Sequence, residues 1–364
     1  MALGRLRITA LRCLAHVELG FDARRNFIFG PNGAGKTSIL EGVFLLGRGR
    51  SFRTRQTGRL VQRGQSGFAV YGEVPTSSGQ RRLGVSFDAG HLTKRVDGQD
   101  ATGMAALAEI LPIHSLDPSS HQLVEGAPTE RRRFLDWGVF HVEHTYLDSW
   151  KRYRRILSQR NAALKAGATG AALRSWTTAL LESGGAVDAS RRSYVGRLSP
   201  LISEFGQRLL DQPLSIEYRA GWAKGQSFET ALAASERRDL VSRTTEVGPH
   251  RADLEIHLAG RRLQDEASRG QQKLAAASMV LAQLVAGAAE AGSPILLVDD
   301  PAAELDARSL GRLLELLERL PAQIVLTALS AEHLVPAPGY PVFHVERGTV
   351  REVYFQPGLE RRSR

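Results

Sequence analysis

The sequence contains one cysteine, Cys13, only six lysines, and no apolar run that approaches the length of a bilayer. A single cysteine cannot form an intrachain disulfide, which is compatible with a reducing compartment. A membrane-spanning helix needs about 20 consecutive apolar residues, and the first residues do not resemble a secretory signal. We therefore expect a cytoplasmic protein without a membrane partner.

Acidic residues are also relatively few, 38 against 48 lysines and arginines, which gives a net charge of +10 and a pI near 10.1. Arginine favours bidentate phosphate recognition, but an arginine-rich composition can also have a genomic or thermal origin. Charge alone therefore leaves nucleic-acid binding open. The 364 residues, 42% of them hydrophobic, exclude a disordered chain and allow two domains or one domain with a large insertion.

The pattern along the chain predicts an α/β domain built from both chain ends. Residues 1–116 show short strands around one helix, residues 117–212 show helical spacing, and residues 213–364 return to alternating strands and helices. The middle segment is predicted to be a helical insertion. Within it, Gly167–Gly170 and Gly184-Gly185 are expected to separate helices.

A phosphate-binding loop is indicated by Gly30-Pro31-Asn32-Gly33-Ala34-Gly35-Lys36-Thr37, which follows a short apolar strand and precedes an amphipathic helix. Its glycines allow backbone N–H groups to surround a phosphate, and the helix N-terminus adds positive charge. Lys36 is predicted to contact the β and γ phosphates, and the Thr37 hydroxyl to bind Mg²⁺. A glycine-rich turn with a surface lysine is the alternative, which the full spacing disfavours.

A second acidic motif follows the apolar run Ile295–Val298, where Asp299 and Asp300 end a predicted central strand. Ligands of open α/β sheets bind at the carboxyl ends of strands. We expect Asp299 to hold Mg²⁺ and Asp300 to orient or deprotonate the attacking water. A strand-to-turn connection that merely carries two aspartates is the alternative.

Two further segments resemble those of ABC-type ATPases. In Ser268-Arg269-Gly270-Gln271, Ser268 and Gly270 resemble the signature residues that bind the γ-phosphate held by a second protomer. Glu304 and Asp306 resemble the loop that contacts that protomer. Each segment has a simpler interpretation, since Ser268 and Asp306 are both suited to helix N-capping.

The sequence is similar to the RecF family of recombination-repair ATPases over nearly its whole length. The resemblance is carried by the phosphate loop, by Ser51–Thr54, by Pro118–Asp136, by Gly248–Leu254 and by Leu297–Asp306. Position 119 is serine where the family usually has an acid, with Asp117 as a possible substitute. Thr327-Ala328 follows a predicted strand where transporter ATPases have a switch histidine.

The resemblance implies an ABC-type P-loop ATPase head with an inserted helical arm, ATP and Mg²⁺ as cofactors, and Lys36, Asp300 and Ser268 as catalytic residues. It also implies nucleotide contacts from Arg12, Ser38 and Gln271. Such proteins form a homodimer around two ATP molecules and bind duplex DNA near single-strand gaps. They hydrolyse ATP slowly for release, and act with RecR and RecO to promote RecA loading in replication and DNA-damage repair.

Candidate DNA contacts fall in two arginine-rich groups, one after the first helix and one in the predicted arm. The residues are Arg48, Arg50, Arg53, Lys151, Arg152, Arg154 and Arg155. A basic helical run is also typical of a solvated face. Competing functions are a transporter ATPase subunit, a head of another DNA-maintenance complex with a long coiled coil, and a nucleotide-regulated scaffold with negligible turnover. The lack of sustained heptads disfavours the coiled-coil alternative.

Overall fold

The computed structural model describes residues 2–77, 79–101, 103, 105–291, 293–333 and 339–353. It divides into two compact units. The first comprises the described residues of Met1–Ser120 and Gly287–Arg364, and the second is His121–Ala286. The prediction that both chain ends build one domain is therefore confirmed. Among the described residues, no helix has the length and apolar character that crossing a membrane requires.

The first unit contains two six-stranded sheets. Its elements are β1 (Arg5–Leu11), β2 (Leu14–Gly20), β3 (Arg25–Phe29), α1 (Lys36–Arg48), β4 (Phe68–Thr76), β5 (Gly79–Asp88), β6 (His91–Val96), β7 (Gln99–Asp100), α2 (Ala105–Ile110), β8 (Ile113–Leu116), β12 (Ile295–Asp299), α10 (Ala307–Arg319), β13 (Gln323–Ala328), β14 (Val342–Glu346) and β15 (Thr349–Val353).

The second unit contains mainly helices and one three-stranded sheet, ordered β11-β10-β9. Its elements are α3 (Gln122–Glu125), α4 (Pro128–Val142), α5 (Tyr146–Lys165), α6 (Gly170–Leu210), β9 (Leu214–Arg219), α7 (Phe228–Ser242), β10 (Asp253–Leu258), β11 (Arg261–Arg262), α8 (Leu263–Glu266) and most of α9 (Arg269–Ala291).

The sheets of the first unit differ in the pattern of their strands. The antiparallel sheet is ordered β2-β1-β4-β5-β6-β7. Buried and exposed side chains alternate along strands such as β1, where residues 5 to 10 point in turn to solvent and to the core. The other sheet is ordered β15-β14-β3-β13-β12-β8. Its strand β12 is buried at every position because parallel neighbours flank it on both sides. Helix α1 packs against strands of both sheets, and its apolar residues join their common core.

The parallel sheet determines where the candidate site lies. Strand β13 pairs with β12 on one side and β3 on the other, with Asp299 opposite Thr327 and Thr327 opposite Ile28. The carboxyl ends of all three strands therefore meet at one edge. The phosphate loop follows β3 at that edge, and the two aspartates stand at the end of β12.

The division between the units differs from the predicted boundaries at 117, 212 and 213. Strand β9, which we expected to begin the return to the ATPase domain, pairs with β10 and packs on α6 instead of joining a six-stranded sheet. Residues 213–286 therefore fold with the helical unit. The physical reason is that the apolar face of β9 is covered by the helix that directly precedes it, with Gly206 of α6 against Leu214.

The predicted break at Gly184-Gly185 is wrong, because both residues lie inside the continuous helix α6. A Cβ on Gly184 would lie 2.6 Å from a ring carbon of Phe228 and 3.0 Å from one of Tyr153. Glycine is present there because the helix packs closely against two aromatic rings. The expected break at Gly167–Gly170 is confirmed, since α5 ends at Lys165 and α6 begins at Gly170.

Candidate nucleotide site

The phosphate loop runs from the end of β3 to the start of α1 and requires glycine at two positions. Gly30 has φ of 152°, and a Cβ there would lie 2.0 Å from the carbonyl oxygen of Val345. Gly35 has φ of 123°, and its Cβ would lie 2.8 Å from a methyl carbon of Leu14. Neither position accommodates a side chain. The loop is thus held between β14 and the β1–β2 turn.

The Lys36 side chain is buried within this loop. Its Nζ donates to the carbonyl oxygens of Gly30 at 2.7 Å and Pro31 at 3.2 Å. Burial lowers the pKa of the Lys36 ammonium, and the nearby carboxylates of Asp300 and Asp299 oppose that shift. An ammonium that is held only by loop carbonyls is well placed to accept a stronger anionic partner.

Thr37 and Asp299 are brought together as the sequence predicts. The Thr37 hydroxyl donates to the Asp299 carboxylate, with distances of 2.9 Å to Oδ2 and 3.1 Å to Oδ1. Burial raises the pKa of Asp299, and the hydrogen bonds from Thr327 and Thr37 act in the opposite direction. A hydroxyl and a carboxylate are hard oxygen ligands of the kind that Mg²⁺ prefers.

The residues fit a magnesium ion that completes its shell from phosphates and water. In the part of the chain that the structure describes, no group of three or more His, Cys, Asp or Glu residues could hold a metal by itself. Mg²⁺ is commonly bound by one or two carboxylates together with substrate phosphates. Thr37 and Asp299 would be the protein ligands of such an ion.

Asp300 adopts a left-handed backbone conformation, with φ of 45° and ψ of 59°, directly after β12. Its Oδ1 atom is buried and has no hydrogen-bond donor among the described residues. A buried acceptor without a donor is costly unless a ligand or water completes it. The arrangement therefore suits a carboxylate that receives a proton or a hydrogen bond from a bound molecule.

Thr327 is a site residue that the sequence reasoning did not identify. Its hydroxyl donates to Asp299 Oδ1 at 2.8 Å and accepts from the Asp300 N–H at 3.0 Å. Thr327 thus fixes the carboxylate of one aspartate and the backbone of the next. No pattern along the chain identifies Thr327, because its position opposite Asp299, the last residue of β12, depends on the pairing of β13 with β12.

Asp117 lies near this site, and Ser119 is bound to it. Ser119 donates to Asp117 Oδ1 from its N–H at 2.9 Å and from its hydroxyl at 2.5 Å. The negative charge of Asp117 also raises the pKa of Asp299. An acid is therefore present close to position 119, although it stands two residues earlier than in the family pattern.

Arg12 and Ser38, which are also predicted to contact nucleotide, have partners within the first unit. The guanidinium of Arg12 forms a fork with the Glu41 carboxylate, with distances of 2.9 and 3.1 Å. Ser38 is buried on α1, and its hydroxyl lies 3.8 Å from the Cys13 sulfur. Asn32 is exposed in the loop.

Ser268 and Gln271 cap the N-terminus of α9. The Ser268 N–H donates to Gln271 Oε1 at 3.0 Å, and the Gln271 N–H donates to Ser268 Oγ at 3.3 Å. This reciprocal pair is a capping box. The capping interpretation of Ser268 is therefore confirmed, and the predicted phosphate contact of Ser268, Gly270 and Gln271 with a second protomer stays a prediction. Ser268 and Gly270 are exposed.

Asp306 likewise caps α10. Its carboxylate accepts from the N–H groups of Arg308 and Ser309, both at 3.0 Å, and from the Ser309 hydroxyl at 2.7 Å. These bonds lower the pKa of Asp306. The helix-capping alternative is confirmed for this residue. The contact of Glu304 and Asp306 with a second protomer stays a prediction.

The arginine candidates for DNA binding differ in their surroundings. Arg48 is half-buried, donates from Nε to the Ile113 carbonyl at 3.1 Å and lies over the Phe44 ring. Its Nε is therefore used within the fold, and its contact with DNA stays a prediction. Arg50 and Arg53 are exposed, and Arg53 lies 3.9 Å from a Glu41 oxygen.

The basic run of α5 is exposed along one side of the second unit; it consists of Lys151, Arg152, Arg154 and Arg155. Arg152 pairs with Glu182 at 2.9 Å, and Arg154 lies over the Trp150 ring. Exposed ion pairs of this kind contribute little stability. They leave these cations able to exchange their partners for phosphates.

Comparison with known proteins identifies relatives over nearly the whole chain. The family model described as "RecF/RecN/SMC N terminal domain" matches residues 2–350. The chain is 40% identical to the DNA replication and repair protein RecF of Thioalkalivibrio sulfidiphilus over 96% of this chain and 99% of the relative. It is also 40% identical to the RecF protein of Pseudomonas putida strain F1, over 97% and 99%.

Solved structures show the same fold. The structure of the recombination mediator protein RecF with ATP, in the RecFOR pathway, is 26% identical and superposes with a TM-score of 0.86 over 97% of both chains. The Smc head domain from Pyrococcus furiosus, 15% identical with a TM-score of 0.62 over 97% of this chain and 96% of that one, shares the fold alone. The predicted fold class, an ABC-type ATPase head of α/β architecture, is confirmed, and the chain belongs to the RecF family.

Proposed function

We propose that this protein binds and hydrolyses ATP in DNA replication and recombinational repair, and that two copies close around two ATP molecules on duplex DNA. The observation that carries the proposal is the contact between Thr37 and Asp299 beside the buried, donorless Oδ1 of Asp300. This is a metal ligand pair next to a carboxylate that is available for proton transfer. The names of the RecF relatives support the role in replication and repair.

In the proposed mechanism, the N–H groups of the loop and the N-terminus of α1 bind the phosphates. The Lys36 ammonium leaves the carbonyl oxygens of Gly30 and Pro31 and donates hydrogen bonds to the β and γ phosphates instead. Mg²⁺, held by Thr37 and Asp299, would neutralise charge that develops on the phosphate oxygens. Asp300 Oδ1 accepts a hydrogen bond from the attacking water and orients it in line with the γ-phosphorus.

The second protomer is proposed to complete the site with its own copies of Ser268, Gly270 and Gln271. Exposed backbone N–H groups at the start of a long helix provide a suitable anion-binding surface. Glu304 and Asp306 are proposed to contact the second protomer. Hydrolysis is proposed to be weak, to be stimulated by DNA, and to time release.

The proposed partners are duplex DNA near single-strand gaps and RecR together with RecO, through which RecA loading is promoted. The net charge of +10 and the exposed cations of α5 support the DNA contact. The related solved structure from the RecFOR pathway supports the partner assignment. The cytoplasm is the proposed location.

The proposal is tested by sedimentation of the full chain with and without Mg²⁺-ATP and gapped duplex DNA. Wild type should dimerise on ATP addition, and Lys36→Met should remain monomeric, because the variant lacks the buried cation for the β and γ phosphates. Lys165→Met, which removes an exposed lysine at the end of α5, is the matched control and should behave as wild type. Normal dimerisation of Lys36→Met would overturn the assignment. Dimerisation of wild type without phosphate release would favour a nucleotide-regulated scaffold.

A further inference from the structure

Thr327 is a buried polar residue at the carboxyl end of β13 to which the proposed mechanism gives no role. It is 0% exposed, and it stands opposite Asp299 of β12 on one side and Ile28 of β3 on the other. A buried hydroxyl is tolerated when its hydrogen and its oxygen both find partners within the protein. The partners of Thr327 are two consecutive residues of the candidate site, Asp299 and Asp300.

The first contact of Thr327 orients the carboxylate of Asp299. The Thr327 hydroxyl donates to Asp299 Oδ1 at 2.8 Å, and the Thr37 hydroxyl lies 3.1 Å from the same oxygen and 2.9 Å from Oδ2. The terminal torsion of an aspartate is broad, so its donors decide how the carboxylate is turned. Thr327 and Thr37 reach it from β13 and from α1, and together they fix its plane.

The second contact of Thr327 holds the backbone of Asp300 in an unfavourable conformation. Asp300 has φ of 45° and ψ of 59°, a left-handed region that residues other than glycine seldom adopt. It also precedes Pro301, and a residue before proline favours an extended backbone. Such a conformation persists only where neighbours hold it. Here the Asp300 N–H donates to Thr327 Oγ1 at 3.0 Å, and the Asp300 carbonyl accepts from the Ala303 N–H at 3.1 Å.

We propose that Thr327 is a positioning residue that couples the metal ligand Asp299 to the water-orienting carboxylate of Asp300. One oxygen atom makes both contacts, because it gives its hydrogen to Asp299 and accepts the N–H of Asp300. Hydrogen bonds in such a chain strengthen one another, so the placement of each aspartate depends on the other. Thr327 thereby sets both the affinity for Mg²⁺ and the aim of Asp300 Oδ1. The inference rests on the proposed function, because it uses the roles that the mechanism gives to the two aspartates.

The test compares Thr327→Val with wild type in the full chain, since valine keeps the β-branched shape and lacks the hydroxyl. ATP binding during a Mg²⁺ titration and single-turnover hydrolysis at saturating Mg²⁺-ATP are measured separately. The Mg²⁺ concentration for half-maximal binding should rise, and the hydrolysis rate should fall, each about 10- to 100-fold, as for other residues that orient metal ligands. Thr327→Ser should restore both. The matched control, Thr349→Val, changes an exposed threonine of the same sheet and should behave as wild type.

An Asp300→Asn background separates positioning from a general loss of structure. There Thr327→Val should still raise the Mg²⁺ requirement but should no longer slow hydrolysis, because the carboxylate that it aims is absent. If Thr327→Val does not melt cooperatively, Thr327→Cys replaces it, since a thiol is only a weak donor and acceptor. Wild-type behaviour of these variants, or an equal loss of rate in both backgrounds, would overturn the inference while the proposed function stands. Normal ATP binding by Lys36→Met would overturn the proposed function and the inference together.

Discussion

Thr37 and Asp299 are 262 positions apart in the chain, yet the Thr37 hydroxyl lies 2.9 Å from Asp299 Oδ2. The contact exists because β3 and β12 flank β13 in one parallel sheet, so their carboxyl ends meet. The same edge holds Asp300, whose N–H is bound by Thr327. In the proposed mechanism, phosphate, metal and water are therefore bound by neighbouring but different groups.

Replacement of Asp300 by asparagine should separate ATP binding from release. Asp300→Asn keeps the size of the side chain but removes the charge that we propose orients the attacking water and accepts its proton. Loss of a catalytic base commonly costs about 10²–10⁴-fold in rate. The variant should dimerise on ATP, hold duplex DNA and dissociate much more slowly than wild type, as measured by DNA off-rates after a competitor chase.

The comparison variant for that experiment is Asp299→Asn, which should weaken Mg²⁺-ATP binding instead, because Asp299 contacts Thr37 directly. If Asp300→Asn releases DNA as fast as wild type, hydrolysis does not time release. That result would contradict the clamp mechanism and leave the family assignment intact.

Substitutions of Ser268 should distinguish its capping role from its predicted role across the dimer. Ser268→Arg removes the cap, at a cost of about 1 kcal/mol in stability, and should prevent ATP-dependent dimers while monomers still bind ATP. Ser268→Asp retains a good N-cap but places negative charge where the γ-phosphate of the other protomer is expected. It should melt like wild type and also fail to dimerise, as measured by sedimentation with Mg²⁺-ATP. Loss of ATP binding by the capped variant would place this loop in the pocket of its own protomer.

The two basic groups should differ in their effect on the salt dependence of DNA binding. Each phosphate contact contributes about −0.9 to the slope of log affinity against log salt. Arg50→Ala with Arg53→Ala should reduce the slope without altering ATP binding. An unchanged slope would move the DNA surface to Lys151–Arg155. The control pair is Arg237→Ala with Arg238→Ala, two exposed arginines on α7, which should leave the slope unchanged.

His250 should make the stability of the second unit depend on pH. It bonds the Tyr153 hydroxyl through Nδ1 at 2.7 Å and the Thr245 carbonyl through Nε2 at 2.9 Å, and burial lowers its pKa to about 4. The neutral ring is favoured in the fold, so its contribution is complete above the unfolded pKa of about 6.5 and is lost as pH falls towards 4.

The expected loss over that window is about 2–3 kcal/mol, since one pKa unit corresponds to about 1.4 kcal/mol. Thermal melting between pH 7 and pH 4 should show a smaller decline for His250→Gln than for wild type. His91→Gln, at an exposed histidine, should follow the wild-type curve. Identical curves for all three proteins would exclude His250 as a source of the pH dependence.

The sequence by itself determined the chemistry of the phosphate loop and the acidic strand end. The eight residues from Gly30 to Thr37 match the phosphate-loop pattern at a strand–helix junction, in which the glycines, the lysine and the hydroxyl are suited to bind phosphate and metal. The apolar run of β12 likewise required a central strand. Local periodicity and spacing carry this information, so no tertiary contact was needed to predict it.

Only the tertiary structure decided which groups meet across the chain. The pairing of β13 with β12 brought Thr327 to both aspartates, and the burial of Glu41 placed Arg12 and Arg53 at one carboxylate. The half-burial of Arg48 and the packing of Gly184 against aromatic rings also depend on neighbours that are distant in sequence. Strand order and packing partners are long-range properties, and the pattern of residues along a single chain does not specify them.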